Sequence, residues 1–159
     1  MFNRHSWTAL TCLPLVASVA ILAASTSRAG TPFVVIVESS TPVSRLTRSE
    51  LSRLLLKKTT TWPGGAPVHP ADLRDDSELR AEFTNAIHGK PVGAVKSYWQ
   101  QMIFSGRDVP PPEFASDEEV VAYVRSHPGA IGYVSADVGA KGIEGVKLVT
   151  IDAAALSKK

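Results

Sequence analysis

VHPADLRDDSELRAEFTNAIHG, residues 68–89, reads as a strand, a charged turn and an amphipathic helix in direct succession. Val68 to Leu73 is extended in character, and Pro70 moves that strand towards an edge or a bulge because it cannot donate to a ladder. From Asp76 to His88 the apolar residues Leu79, Phe83, Ala86 and Ile87 recur at helical spacing, and Gly89 stops the helix. A helix that starts straight after a strand offers unpaired backbone N–H groups to an anion. Here that start also carries Arg74, Asp75, Asp76, Ser77 and Glu78. Two readings follow. Arg74 and Ser77 could contact an oxyanion, Arg74 in bidentate fashion. Alternatively, Asp75 and Glu78 form an Asp-x-x-Glu capping box that takes up the free N–H groups. The four acids Asp72, Asp75, Asp76 and Glu78 would then repel a dianion, and Arg80 would pair with them at the surface. The second reading argues against tight phosphate binding.

Outward from this unit, strands and helices alternate, which is the pattern of an α/β domain. Residues 33–37, FVVIV, form a continuous β-branched run suited to a strand buried on both faces of a parallel or mixed sheet. Thr47 and Glu50 make a capping box for a short helix through Leu51, Leu54 and Leu55 that ends near Lys57 and Lys58. PVGAVKSYWQQMIF, 91–104, predicts a helix burying Val95, Tyr98, Trp99 and Met102, followed by a proline-rich loop over 105–115. Ser116 and Glu119 cap a further helix that Pro128 and Gly129 end. AIGYV (130–134) and VKLVTI (146–151) are strands joined by a loop. No internal repeat interrupts this order.

The first 29 residues have a different character. Arg4 and His5 precede an uncharged apolar run, and Ser27 and Ala29 suit a small-residue cleavage site. Residues 1–29 are therefore expected to be a secretory signal peptide and 30–159 one domain. Cleavage would remove Arg4 and Arg28, so that the 17 basic residues fall by two to match the 15 acids. A mature chain of zero formal charge has no basic field for nucleic acid. The single cysteine, Cys12, would leave with the signal, so no thiol, disulfide or cysteine metal site is expected. His69, His88 and His127 lack metal-ligand spacing, and no nucleophile elbow supports a catalytic triad. Neither a cofactor, a metal nor an enzyme activity is expected, and the destination is periplasmic or secreted.

The order of motifs resembles the phosphate-binding proteins of ABC transporters, the PstS-like class of periplasmic solute-binding proteins. LTRSELSRLLLKKTTTWPGGAPV (46–68), HPGAIGYV (127–134) and ASDEEVVAYV (115–124) carry the likeness, which spans residues 33 to 137. LRDDSELRAEFT (73–84) occupies the place of the family's anion loop, Arg-x-Asp-Gly-Ser-Gly-Thr. Asp75 and Ser77 fall on the family's Asp and Ser. Asp76 and Glu78 replace its two glycines, Leu79 replaces its Thr, and Arg74 lies one position after its Arg. The resemblance implies a single lobe, like the second, of a type II periplasmic-binding-protein fold, with a mixed sheet of four to five strands flanked by helices. It implies an oxyanion site formed by Arg74, Asp75 and Ser77, with the start of the Ser116 helix opposite. Ser105 and Arg107, after the 91–104 helix, could line the same pole. A lone lobe would need a second wall from an ABC permease, another periplasmic or membrane protein, or a second copy in a homodimer. The alternative is a protein-interaction module that keeps the lobe without phosphate binding.

Overall fold

The computed structural model describes residues 33–152. The expected signal peptide, 1–29, lies outside the described residues. Strand β1 (Phe33–Glu38) runs through the centre of a five-stranded mixed sheet. Its antiparallel neighbours are β6 (Ala130–Ser135) and β7 (Val146–Asp152). Two short strands, β2 (Arg45–Thr47) and β3 (His69–Pro70), add parallel to β7 and β6 at the edges. Pro70 thus sits on an edge strand, as its missing N–H requires. The FVVIV run is buried apart from half-buried Val34, because helices cover both faces.

Opposed residues of an antiparallel pair share a face. Ile36 therefore faces the same way as Gly132, its partner on β6. Helix α4 (Asp117–Ser126) lies there so closely that a Cβ on Gly132 would come 2.7 Å from Val120 Cγ1. A short turn of helix, α5 (Ala136–Gly139), joins α4 on that side, where Gly139 meets Val34. Residues 136–145 were expected to be all loop. The opposite face carries Phe33 and Tyr133. Phe83 of α2 (Glu78–Phe83) stacks on Tyr133 at 3.6 Å between ring centres and meets Phe33 edge-on at 4.9 Å. Such pairs add roughly 0.5–1.5 kcal/mol beyond area burial. α2 starts two residues later than expected and widens into a π-helical turn, Thr84–His88. Helix α1 (Arg48–Leu55) packs against that turn through Arg48 Nε, which donates to Ile87 O at 3.0 Å.

The 68–73 segment is two strands rather than one. After β3 the chain leaves the main sheet, and β4 (Asp72–Leu73) pairs in parallel with β5 (Glu113–Phe114). β5 lies within the expected 105–115 loop. Helix α3 (Val92–Phe104) buries Val95 and Trp99 but only partly covers Tyr98 and Met102. Its buried residues stand apart from the main apolar core formed by the sheet, α1, α2 and α4.

Candidate functional site

The sequence predicts a ligand at the start of α2, with the start of α4 opposite; both starts, and that of α1, are capped by the chain's own side chains. At α1, Thr47 Oγ1 accepts from Glu50 N at 3.2 Å and Glu50 Oε2 accepts from Thr47 N at 2.8 Å. At α4, Ser116 Oγ accepts from Glu119 N at 3.3 Å, while Glu119 Oε2 reaches Ala115 N at 2.8 Å. Asp117 Oδ2 accepts from Ser135 N at 2.9 Å, tying the same start to the end of β6. At α2 the cap is Ser77, whose Oγ accepts from Arg80 N at 3.3 Å. The expected Asp75–Glu78 capping box does not form. Asp75 Oδ2 instead meets Lys96 Nζ of α3 at 2.7 Å, and that hydrogen bond holds the Asp75 carboxyl below its usual range. A capping hydroxyl is worth about 1 kcal/mol, and each of these helices also has acids in its first turn.

Arg80 is the largest departure from the sequence reading. Expected as a surface partner for nearby acids, it is only 3% exposed. Its Nη1 donates to Leu73 O and to Glu113 Oε1, the latter at 2.6 Å, and its Nη2 meets Asp72 Oδ2 at 3.1 Å. Tyr133 Oη donates to Asp72 Oδ1 at 2.6 Å, as does Leu73 N at 2.9 Å. This network joins α2, β4, β5 and β6. Burial pushes the Asp72 carboxyl up, even with Arg80 opposing, and it pushes the Tyr133 phenol up as well. Arg80 Nε, also buried, has no hydrogen-bond partner among the described residues.

Above this network lies a cleft of about 260 Å³ between α2, α3 and the chain leading into β5. Asp75, Arg80, Lys96 and Glu113 supply its charges; Trp99, Ile103 and Pro110 supply apolar wall, and Gln100 an amide. Of the residues expected at the site, only Asp75 lines this cleft. Arg74 is exposed and pairs with Asp76 at 3.5 Å. Ser77 and Ser116 act as caps. Ser105 ends α3 with its Oγ donating to Met102 O at 3.1 Å, and Arg107 is exposed beyond it; neither lines the cleft. Lys96, Trp99 and Glu113 were not singled out as site residues, because each reaches the cleft through contacts distant in sequence. Ile103 of the cleft wall is 50% exposed, Phe104 next to it in sequence 90%, and Val109, next to Pro110, 60%.

The architecture is that of a single lobe of the type II periplasmic-binding-protein fold. Three solved structures share it at low identity. A Clostridium perfringens protein described as a phosphate ABC transporter substrate-binding protein, with bound phosphate, matches at a TM-score of 0.59 and 20% identity. An ABC-type phosphate transport receptor from Vibrio cholerae matches at 0.58 and 16%, and PstS from Borrelia burgdorferi at 0.58 and 14%. Each match covers 76% of this chain but only 45%, 46% and 47% of the other, so the chain spans less than half of each neighbour. No protein-family model and no curated protein matches the sequence.

Proposed function

We propose that the protein is an exported, non-catalytic binding lobe of the solute-binding kind, and that it is not a tight phosphate receptor. One observation carries this: the two helix starts expected to cradle an anion are capped by the chain's own Ser77 and Ser116 hydroxyls. The charge-lined cleft beside Arg80 supports a solute role, and its open side calls for a second wall. An ABC permease, another periplasmic or membrane protein, or a second copy would provide it. A second reading, docking to a protein partner without any solute, is favoured by the exposed apolar residues Ile103, Phe104 and Val109.

The neighbours' link to phosphate makes phosphate the first ligand to test. Isothermal titration of the mature chain with phosphate and then sulfate, beside an Arg74→Ala variant, is expected to show no saturable heat up to millimolar ligand. Micromolar phosphate binding that Arg74→Ala abolishes would overturn the proposal and restore the helix start as an oxyanion receptor.

A further inference from the structure

We infer that the carboxyl end of α3 and the turn behind it dock on an anionic lipid surface, with Phe104 entering the headgroup layer and the basic residues beside it meeting the lipid charge. The inference goes beyond the solute reading and does not depend on what the cleft takes.

The apolar part of the surface is concentrated. Of the four large apolar side chains exposed among the described residues, Ile103, Phe104 and Val109 fall within seven consecutive positions, and the fourth, Leu148, lies on β7. Single exposed apolar residues are ordinary, but a cluster marks a contact. Three side chains are few for a protein interface, which engages roughly 20–30 residues a side. A lipid surface needs only a few inserted apolar groups with cations beside them.

The backbone at this end suits an apolar medium. Ser105 N donates to Gln101 O at 3.0 Å, Gly106 N to Ile103 O at 2.9 Å and Arg107 N to Met102 O at 3.0 Å. Val109 N donates to Asp108 Oδ1 at 2.7 Å, and Val109 O accepts from Lys57 Nζ at 3.0 Å. Gly106, with φ of 65°, allows the turn. Peptide groups that are already paired cost less to withdraw from water.

Charge selects the kind of surface. The turn is fastened to the end of α1: Lys57 Nζ pairs with Asp108 at 2.7 Å, Tyr98 Oη donates to Leu56 O at 3.1 Å, and Lys58 Nζ stands 5.4 Å from the Tyr98 ring centre. The two segments joined in this way, 52–62 and 97–112, carry Arg53, Lys57, Lys58 and Arg107 against Asp108 alone. Lys57 neutralises Asp108. Arg53, Lys58 and Arg107 are exposed and have no salt-bridge partner among the described residues. On the cleft side, the nearby acids Asp75 and Glu113 are taken by Lys96 and Arg80. Two contacting segments therefore hold an excess of cations together with the exposed Phe104 ring. That combination fits an anionic bilayer, which attracts basic residues near its surface.

Co-sedimentation with lipid vesicles tests the inference. The sample is residues 30–159, which hold every described element, because the apolar run before them would bind lipid by itself. The protein is expected to sediment with vesicles of equal parts phosphatidylglycerol and phosphatidylcholine at low salt. It should do so far less with phosphatidylcholine alone, and far less at high salt, where surface charges are screened. Phe104→Ser should weaken partition at least about tenfold, as the loss of one inserted aromatic side chain requires. Lys58→Glu and Arg107→Glu should each weaken it about fivefold or more. Leu148→Ser, which removes the exposed apolar side chain of β7, should leave it unchanged. All four positions are exposed, so the folds are expected to survive, and circular dichroism checks them. No partition of the folded protein onto anionic vesicles at low salt would overturn the inference and leave protein docking for these residues. Undiminished partition of folded Phe104→Ser, or an equal loss in Leu148→Ser, would overturn this end of α3 as the contact. Equal binding to phosphatidylcholine alone, indifferent to salt, would overturn the role of charge and with it the anionic surface. None of these outcomes bears on the phosphate titration, so the two readings fail separately.

Discussion

Arg80 and His88 show how one side chain changes role once the chain closes around it. In sequence, Arg80 stands among acids on what looks like a polar turn. In the fold it is almost wholly enclosed, and it binds Asp72, Glu113 and the Leu73 carbonyl together. Truncating one member of such a group strands the others in low dielectric, at a cost of about 3–5 kcal/mol. Arg80→Met is therefore expected to lose that much stability by urea unfolding. Arg80→Lys should recover little, because a point ammonium cannot serve three directions as a planar fork does. A loss below about 1 kcal/mol for Arg80→Met would contradict the network. His88 accepts or donates at 2.8 Å to Ser52 Oγ, against the edge of Phe83. Burial, followed by the charges of Arg80, Arg48, Lys58 and Lys90, lowers its pKa from 6.5 to about 4. The unfolded chain then binds this proton more readily than the folded one between about pH 6.5 and 4. Stability must rise with pH across that window. The fall from pH 7 to pH 4 is expected to cost on the order of 3 kcal/mol through this group. Urea midpoints measured against pH for the protein and for His88→Phe check it: the variant should lose much of the slope, and an unchanged slope would remove His88 as its source.

At the scale of elements, what was legible depended on how far apart the decisive partners lie. The caps of α1 and α4 could be read because their bonds, reciprocal at α1 and shifted by one residue to Ala115 at α4, involve residues within four positions. The same pattern failed at α2. Asp75 and Glu78 have capping-box spacing, yet Lys96, on the next helix, draws the Asp75 carboxylate away and Ser77 takes the cap. Strands β4 and β5 are two residues each, too short to show alternation, and only their pairing with each other makes them strands. The π turn keeps the apolar positions Ala86 and Ile87 of an ordinary helix, so its widening leaves no mark in the pattern. Gly132 has a reason that no local reading supplies, namely the approach of α4 to β6. The cleft was illegible for the same cause. Its walls come from α2, α3 and the entry to β5, and only Asp75 had been placed near a ligand.

Across the whole molecule, the sheet and the cleft differ in how firmly they are held. β1 has ladder partners on both sides, and its residues sit in one apolar core with α1, α2 and α4. α3, which walls the cleft, buries Val95 and Trp99 outside that core. Beside that burial it is tied down by polar contacts. Tyr98 Oη donates to Leu56 O at 3.1 Å, Lys96 pairs with Asp75 at 2.7 Å, and Lys57 pairs with Asp108 just beyond its end at 2.7 Å. The exposed Lys96–Asp75 pair contributes little, commonly about 0–1 kcal/mol. Segments with few apolar contacts open at lower free energy than the core. Amide hydrogen exchange of the protein is therefore expected to be slowest in β1 and β6, at the level of global unfolding. The amides of α3 should exchange through a smaller opening that leaves the sheet intact. A ligand seated between Arg80, Lys96 and Trp99 would slow exchange in α3 first, because it bridges that helix to the core network. If α3 without ligand is as protected as β1, the lobe unfolds as one unit, and the cleft wall is as rigid as the sheet behind it.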